Sequence, residues 1–269
     1  MTILHAFLLG IIQGLTEFIP VSSTAHLLIG QRLFGLPADD AMFSFLVIVQ
    51  LGTLVSLFIF YWKDLAAVLK AVIHFRNASP ERDLGLYILI ATIPALLAGY
   101  LLKDAVETLF RQPLLEAAIR LFTAAILLSL AEWLTRKNRS LASMTWLDAL
   151  FVGAMQVLAV FPGASRSGAT ISGGMLRGFD RPSAARFAFL MSAPVMLAAG
   201  GYEMLDVIQR PNLGAFLPLL AVGFVTAAIV GWFAIKWLIG YLSKHSLRVF
   251  AAYCAVIGTV ALVVSFLTT

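Results

Sequence analysis

The stretch Pro162-Gly163-Ala164-Ser165-Arg166-Ser167-Gly168-Ala169-Thr170 follows an apolar run from Ala149 to Phe161. Such a run reaches about the midplane of a bilayer, where a lipid-exposed loop would leave its backbone groups without partners. An arginine among hydroxyls and glycines at that depth therefore predicts backbone lining a polar cavity, with the composition of an anion site. The first stretch with the same anomaly is Gln13-Gly14-Leu15-Thr16-Glu17-Phe18-Ile19-Pro20-Val21-Ser22-Ser23-Thr24-Ala25-His26, polar inside an otherwise apolar segment.

Of the 269 residues, 61% are hydrophobic and only 12% charged, far from the roughly half-apolar, quarter-charged usage of soluble domains. The chain reads as an all-α membrane protein forming one domain over 1–269. Met1 to Phe7 holds no Lys or Arg, and Gln13 and Glu17 interrupt the apolar run that follows, which argues against a cleaved signal peptide. The lone cysteine, Cys254, excludes an intramolecular disulfide and reads as a packed thiol. The net charge of +5 sits mostly in loops, which fits membrane orientation and anionic headgroups, not nucleic acid.

Six runs reach the ~20 apolar residues a spanning helix needs: 41–62, 84–102, 114–133, 182–205, 214–239 and 248–268. Residues 2–36 and 145–178 instead contain an apolar arm, a polar break with proline and a short second arm, which predicts a re-entrant hairpin in each; two kinked ordinary helices are the alternative. The hairpins echo one another. Gly10-x-x-Gln13 matches Gly153-x-x-Gln156, Pro20-x-x-Ser23 matches Pro162-x-x-Ser165, and Leu33-Phe34-Gly35 matches Leu176-Arg177-Gly178, at an offset of about 142 give or take one insertion or deletion. Three spans follow each hairpin, so the second repeat (about 145–268) begins on the opposite face from the first (about 1–133). That is an inverted-topology repeat with the two hairpins meeting near the midplane. Loops 63–83, 134–144, 177–181 and 240–248 carry eleven Lys and Arg, whereas the other side has four: Arg32, Lys103, Arg111 and Arg210. The positive-inside tendency puts the eleven in the cytoplasm and the first hairpin's mouth outside, with Trp62, Trp133, Trp146 and Trp237 near the inner boundary.

Both polar stretches resemble the signatures of the undecaprenyl-diphosphate phosphatase family of the bacitracin-resistance type: (E/Q)-x-x-x-E followed by a Ser/His stretch, and P-G-x-S-R-S-x-x-T. The similarity runs through the whole chain, including G-G-x-L-x-G after Thr170. The resemblance implies a bacterial inner-membrane enzyme whose lipid substrate is a polyprenyl diphosphate. Its terminal phosphate would be hydrolysed to regenerate the monophosphate carrier of cell-wall precursors, with a divalent cation, Mg²⁺ or Ca²⁺, as cofactor. Gln13 stands where many relatives carry a first glutamate, so the acidic work falls on Glu17. A homodimer is left open.

From chemistry alone, Arg166 is the firmest candidate: a guanidinium stays charged when partly buried and forks two phosphate oxygens. A helix beginning near it would aim backbone N–H groups at the same oxygens. Ser165, Ser167 and Thr170 are candidate substrate donors; the bland alternative is an N-cap serine with a snorkelling arginine. Glu17, one turn after Gln13, costs roughly 2.5 kcal/mol or more at such depth unless it meets a partner. That partner is Arg166 or a bound cation, and the roles open to Glu17 are metal ligand, base, or half of a structural ion pair. Ser22, Ser23 and His26 fall within a turn, so His26 is expected to activate a hydroxyl. Ser23 is the preferred nucleophile because it takes the repeat position of Ser165; attack by His26 or water stays open. Ser22, Thr24 and Gln13 join the substrate-binding candidates. His5, Glu116 with Arg120, Asp148 and Arg186 read as structural, and Pro94 and Pro194 have no account at this stage.

A transporter or flippase of a polyprenyl phosphate is the competing reading, because inverted repeats with broken helices are a transporter architecture. The lipid-phosphatase superfamily built on K-x6-R-P, P-S-G-H and S-R-x5-H-x3-D is excluded by the absence of P-S-G-H, and an intramembrane serine protease by the absence of G-x-S-G.

Overall fold

The structure is a computed structural model and describes residues 1–74, 79–101, 113–136, 138–159, 164–209 and 213–267. Pro162 and Gly163 of the second signature and the loop charges Arg76, Lys103, Arg111, Lys137 and Arg210 lie outside the described residues. Within them the chain is helical, and its only extended pairing is an isolated bridge between Arg139 and Phe179. In chain order the helices are α1 (Ile3–Thr16), α2 (Ser23–Leu33), α3 (Asp40–Phe60), α4 (Trp62–Ile73), α5 (Pro80–Leu101), α6 (Pro113–Leu134), α7 (Trp146–Val157), α8 (Arg166–Leu176), α9 (Arg181–Ile208), α10 (Leu213–Leu242) and α11 (Arg248–Leu267).

Six of these, α3, α5, α6, α9, α10 and α11, are long and apolar enough to cross a membrane, and they fall on the six expected spans. The amphipathic pattern after Lys63 is α4, which buries none of its residues fully and packs on α5. The remaining helices are two short pairs. The longest of the four, α1, has 14 residues, about 21 Å at 1.5 Å per residue, against a hydrocarbon core of roughly 30 Å. The two arms of each pair pack on one another.

The pairs start and stop by the same local chemistry. Thr2 caps α1 and Thr145 caps α7, each in a capping box closed by the residue three on, His5 or Asp148. His5 thus has the structural role expected of it. Ser22 caps α2 and Ser165 caps α8, and both second arms run into a glycine at positive φ, Gly35 at 61° and Gly178 at 85°, the left-handed turn that ends a helix at little steric cost to glycine. Every one of these features recurs at an offset of 143, which corrects the sequence register. At that offset Ser22 aligns with Ser165 and Ser23 with Arg166. Pro20 and Pro162 are 142 apart in sequence, one short of that offset.

Small residues let the first arms approach their neighbours closely. A Cβ on Gly10 would sit 2.7 Å from the Gly223 carbonyl oxygen in α10, and one on Gly153 would sit 2.5 Å from that of Ala91 in α5. Buried carboxylates pin the ends away from the signatures. Asp148, fully buried, accepts from Arg139 at 3.2 and 2.7 Å, Arg177 at 2.6 Å, and the Thr145 N–H and hydroxyl at 3.0 and 2.9 Å. Burial alone would raise the Asp148 pKa, but these donors hold it well below the usual carboxylate range. Glu132 takes Arg181 bidentately at 2.6 and 2.7 Å and the Leu247 N–H at 2.9 Å, tying α6 to the starts of α9 and α11. Arg186 meets Asp64 at 2.6 Å.

The Asp148 clamp should be worth more than a surface pair and less than a fully dry one, because the Arg139 and Arg177 side chains are 31% and 39% exposed. Asp148→Ala is expected to cost about 2 kcal/mol, a fall of roughly 4–8 °C in the detergent-solubilised Tm. Asp83→Ala, which removes the surface partner of Arg82, should move Tm by less than about 2 °C.

Candidate active site

The C-terminus of α1 and the N-terminus of α8 meet inside the bundle. Glu17 caps the end of α1 and Arg166 is the first residue of α8, so each charge faces the helix pole of its own sign, an unfavourable placement for both. What compensates is their mutual contact. The Arg166 guanidinium Nη2 donates to Glu17 Oε1. The other carboxylate oxygen, Oε2, accepts from Gln13 Nε2 at 2.8 Å and from the Ser23 hydroxyl at 2.7 Å. Gln13 Nε2 also reaches Thr53 Oγ1 at 3.4 Å. The Glu17 side chain is 3% exposed and that of Arg166 20%.

A cavity of about 270 Å³ opens beside this cluster, lined by Glu17, Ser22, Ser23 and Thr24 from the first stretch and by Ser165, Arg166 and Ser167 from the second. The two stretches also touch directly, with Ser167 Oγ donating to the Ile19 carbonyl at 3.3 Å. Ser165 Oγ accepts from the Gly168 N–H at 3.2 Å as N-cap and lies 3.4 Å from Ser167 Oγ. The helix expected to begin near Arg166 does so, and its first N–H groups have no intrahelical acceptors. Together with the guanidinium they give this end of α8 the donors and charge that suit an anion.

Three candidates lie apart from the cavity surface. Gln13 stands behind Glu17 and orients it. The Thr170 hydroxyl donates to the Arg166 carbonyl at 2.8 Å, inside its own helix. His26, expected to face the serines, has both ring nitrogens engaged elsewhere: Nδ1 lies 2.9 Å from the Ser22 carbonyl and Nε2 lies 2.8 Å from the Tyr253 hydroxyl, with the two rings stacked at 5.6 Å. The spacing along α2 is as read, but the rotamer turns to α11. The titratable side chain facing the Ser23 hydroxyl is therefore Glu17.

Sequence reasoning missed part of the lining. Arg120 bonds Glu116 at 2.8 Å, the expected same-helix pair, yet it also lines the cavity and reaches the Ala164 carbonyl at 3.4 Å. Gln156 is there too, as are Ala95 and Val195, the residues after Pro94 and Pro194. Both prolines sit inside helices, α5 and α9, at the level of the cavity. The signal available for Arg120 was its depth in a span, which pairing with Glu116 explained away.

Among the described residues no group of three His, Cys, Asp or Glu could hold a metal ion by itself. Glu17 is the one carboxylate among the described residues that line the cavity, so a hard cation there would take most of its oxygens from a bound phosphate, as Mg²⁺ usually does.

The profile described as "Bacitracin resistance protein BacA" matches residues 6–260. The protein named undecaprenyl-diphosphatase in Rubrobacter xylanophilus is 43% identical over 257 residues, covering 93% of this chain and 94% of its own. Proteins of the same name in Chlorobium phaeobacteroides and Mycolicibacterium gilvum are 40% identical over 271 residues and 38% over 269. These alignments cover 96% and 98% of this chain and 95% and 96% of the relatives.

Ser22 holds the break between α1 and α2 at φ 67° and ψ 92°, a left-handed conformation that L side chains rarely adopt. The strain is on the order of 1–3 kcal/mol. Ser22→Gly, which relieves it and loses only a few tenths of a kcal/mol of capping, should hold or raise Tm. Ser22→Val should lower it by several degrees, because a β-branched residue is least tolerant of that conformation.

Proposed function

The chain belongs to the bacitracin resistance protein BacA family, and on that footing we propose that it hydrolyses undecaprenyl diphosphate to the monophosphate and inorganic phosphate, at the cavity between α1, α2 and α8. The observation that carries this reading is the Glu17 carboxylate shared between a hydroxyl, Ser23, and a guanidinium, Arg166. Nucleophile, base and phosphate ligand are joined at one acid.

Ser23 Oγ attacks the terminal phosphorus while Glu17 Oε2 takes its proton. The bond from that phosphorus to the bridging oxygen breaks, and undecaprenyl monophosphate leaves. Water then attacks the phosphoserine, releasing inorganic phosphate and returning the proton to Ser23 Oγ. Arg166 and the α8 N-terminus neutralise the charge on the equatorial oxygens, with Ser165, Ser167, Ser22 and Thr24 as further donors. Gln13 keeps the carboxylate turned toward Ser23. A divalent cation, Mg²⁺ or Ca²⁺, held by Glu17 and the substrate's phosphate oxygens, would supply further neutralisation there.

The size of the cavity supports a headgroup site. At about 270 Å³ it is just below the roughly 300–1,000 Å³ of pockets that enclose a whole drug-sized ligand, so the isoprenoid tail stays in lipid. Each CH₂ moved into water would cost about 0.8 kcal/mol, which is why the site must lie within the membrane.

The finer architecture we infer is an inverted repeat of two re-entrant hairpins, each followed by three spans. The constant offset of 143 supports it, as does an exchange of partners: α1 packs on α10, the second span of the other repeat, while α7 packs on α5, its counterpart. The eleven-to-four loop charge asymmetry supports an orientation with both termini and the mouth of the α1–α2 hairpin on the periplasmic side of the inner membrane. The relatives are named as phosphatases, and no observation favours a carrier.

Purified Ser23→Ala, Glu17→Gln and Arg166→Ala should each lose about 10²- to 10³-fold or more of phosphate release while eluting as the wild type does. His26→Gln should lose far less, since the imidazole does not face Ser23. Wild-type rates in Arg166→Ala or Ser23→Ala would discard this site. With Cys254 replaced by alanine, an impermeant thiol reagent on intact cells should label Ala38→Cys and spare Ser140→Cys; the opposite pattern would invert the orientation.

A further inference from the structure

Gln13 and Gln156 are equivalent residues at the 143 offset, yet their amides fare differently. Gln13 donates to Glu17, four residues on. The residue four after Gln156 is Val160, so the second repeat has no acid in that place. Gln156 is 2% exposed, lines the cavity, and neither its Nε2 nor its Oε1 has a hydrogen-bond partner among the described residues.

A buried amide without partners is disfavoured by roughly 1–3 kcal/mol relative to one that is satisfied, and such groups in native proteins call for an explanation. A structural role would show as a bond to protein, as it does for Gln13. Gln156 is held in place by backbone instead: Gly153, one turn earlier on α7, lies against the Ala91 carbonyl of α5. The amide is thereby fixed on the cavity wall with its donors unspent. Of the charged groups among the described residues that line the same cavity, two are guanidiniums, Arg120 and Arg166, and one is a carboxylate, Glu17; Glu116, which pairs with Arg120, is not part of the lining. An anion is the ligand that this combination selects.

We propose that Gln156 is a substrate-binding residue, donating from Nε2 to a phosphate oxygen of the diphosphate, so that the substrate supplies to the second repeat the anion that Glu17 supplies to the first. The inference rests on the diphosphatase reading of the cavity and adds to it a donor outside both signature motifs. One half of the pseudo-symmetric pair is satisfied by the protein and the other only by the ligand. The empty cavity is therefore the less favourable state, and binding relieves it.

The test compares Gln156→Leu and Gln156→Glu with the wild type in the purified full-length protein. Gln156→Leu should raise KM for undecaprenyl diphosphate about tenfold with kcat nearly unchanged, and Gln156→Glu, which sets an anion against the phosphates, should raise it further. Because the amide has no partner among the described residues, Gln156→Leu should keep or increase the Tm of the ligand-free protein. Binding is read without turnover in a Ser23→Ala background, from the undecaprenyl diphosphate concentration that half-saturates the rise in Tm. Adding Gln156→Leu should raise that concentration about tenfold. Unchanged KM and half-saturation in both Gln156 variants would overturn the proposal, as would a lower ligand-free Tm or loss of folding in Gln156→Leu, which would mark a structural role. Failure of the diphosphatase reading would appear separately, as undiminished phosphate release by Ser23→Ala alone.

Discussion

Glu17 and Arg166 set the conditions for everything around them. Each stands at the helix end that opposes its charge, and each is largely withdrawn from water. A buried carboxylate and a buried guanidinium are costly apart and tolerable only together. The chain that joins them is 149 residues long in sequence, so their meeting requires both short helix pairs to be seated correctly. The same opposition underlies the proposed reaction, in which the positive pole of α8 and the guanidinium would attract phosphate and the carboxylate, already accepting from the Ser23 hydroxyl, would act as base by taking its proton. On that reading the structural ion pair and the catalytic groups are the same atoms.

The remainder of the bundle fixes the distance between those two ends. Asp148 locks the far ends of α7 and α8, and Glu132 gathers α6, α9 and α11. Glycines without side chains let α1 and α7 lie directly on backbone carbonyls of α10 and α5, contacts in which no flexible side chain can absorb an error. Polar groups near the cavity are placed by rigid helices and not by loops. This suits a reaction carried largely by positioning and charge neutralisation.

Much of this was legible in the chain. Six apolar runs of about twenty residues had only one use, because the bilayer demands satisfied backbone across its whole thickness. The two breaks were legible for the converse reason, since polar residues at that depth are too costly to be incidental, and Glu17, Ser23 and Arg166 followed from them. Other positions were not. The spacing of His26 from Ser22 and Ser23 put it on their face of α2, but spacing does not choose a rotamer, and a tyrosine 227 residues away took the imidazole. The internal echo was visible at an offset of about 142, while the caps Ser22 and Ser165 and the terminal glycines recur at 143, which aligns Ser22 and not Ser23 with Ser165. Arg120 was accounted for by Glu116 at four residues' separation, a local explanation that concealed its place on the cavity wall. Gln156 was seen only as an echo of Gln13.

The sequence by itself determined the membrane class, the spans, the two breaks and the chemical types gathered at them, since hydropathy and the cost of buried charge are properties of a residue and its immediate neighbours. Only the tertiary structure decided which groups share one cavity, which hydroxyl faces the acid, where the imidazole turns, and which amide is left without a partner. Except for Ser23 and Glu17, which are six residues apart, those are relations between distant segments, fixed by how helices pack, and no local pattern encodes whether a donor's bonds are already taken.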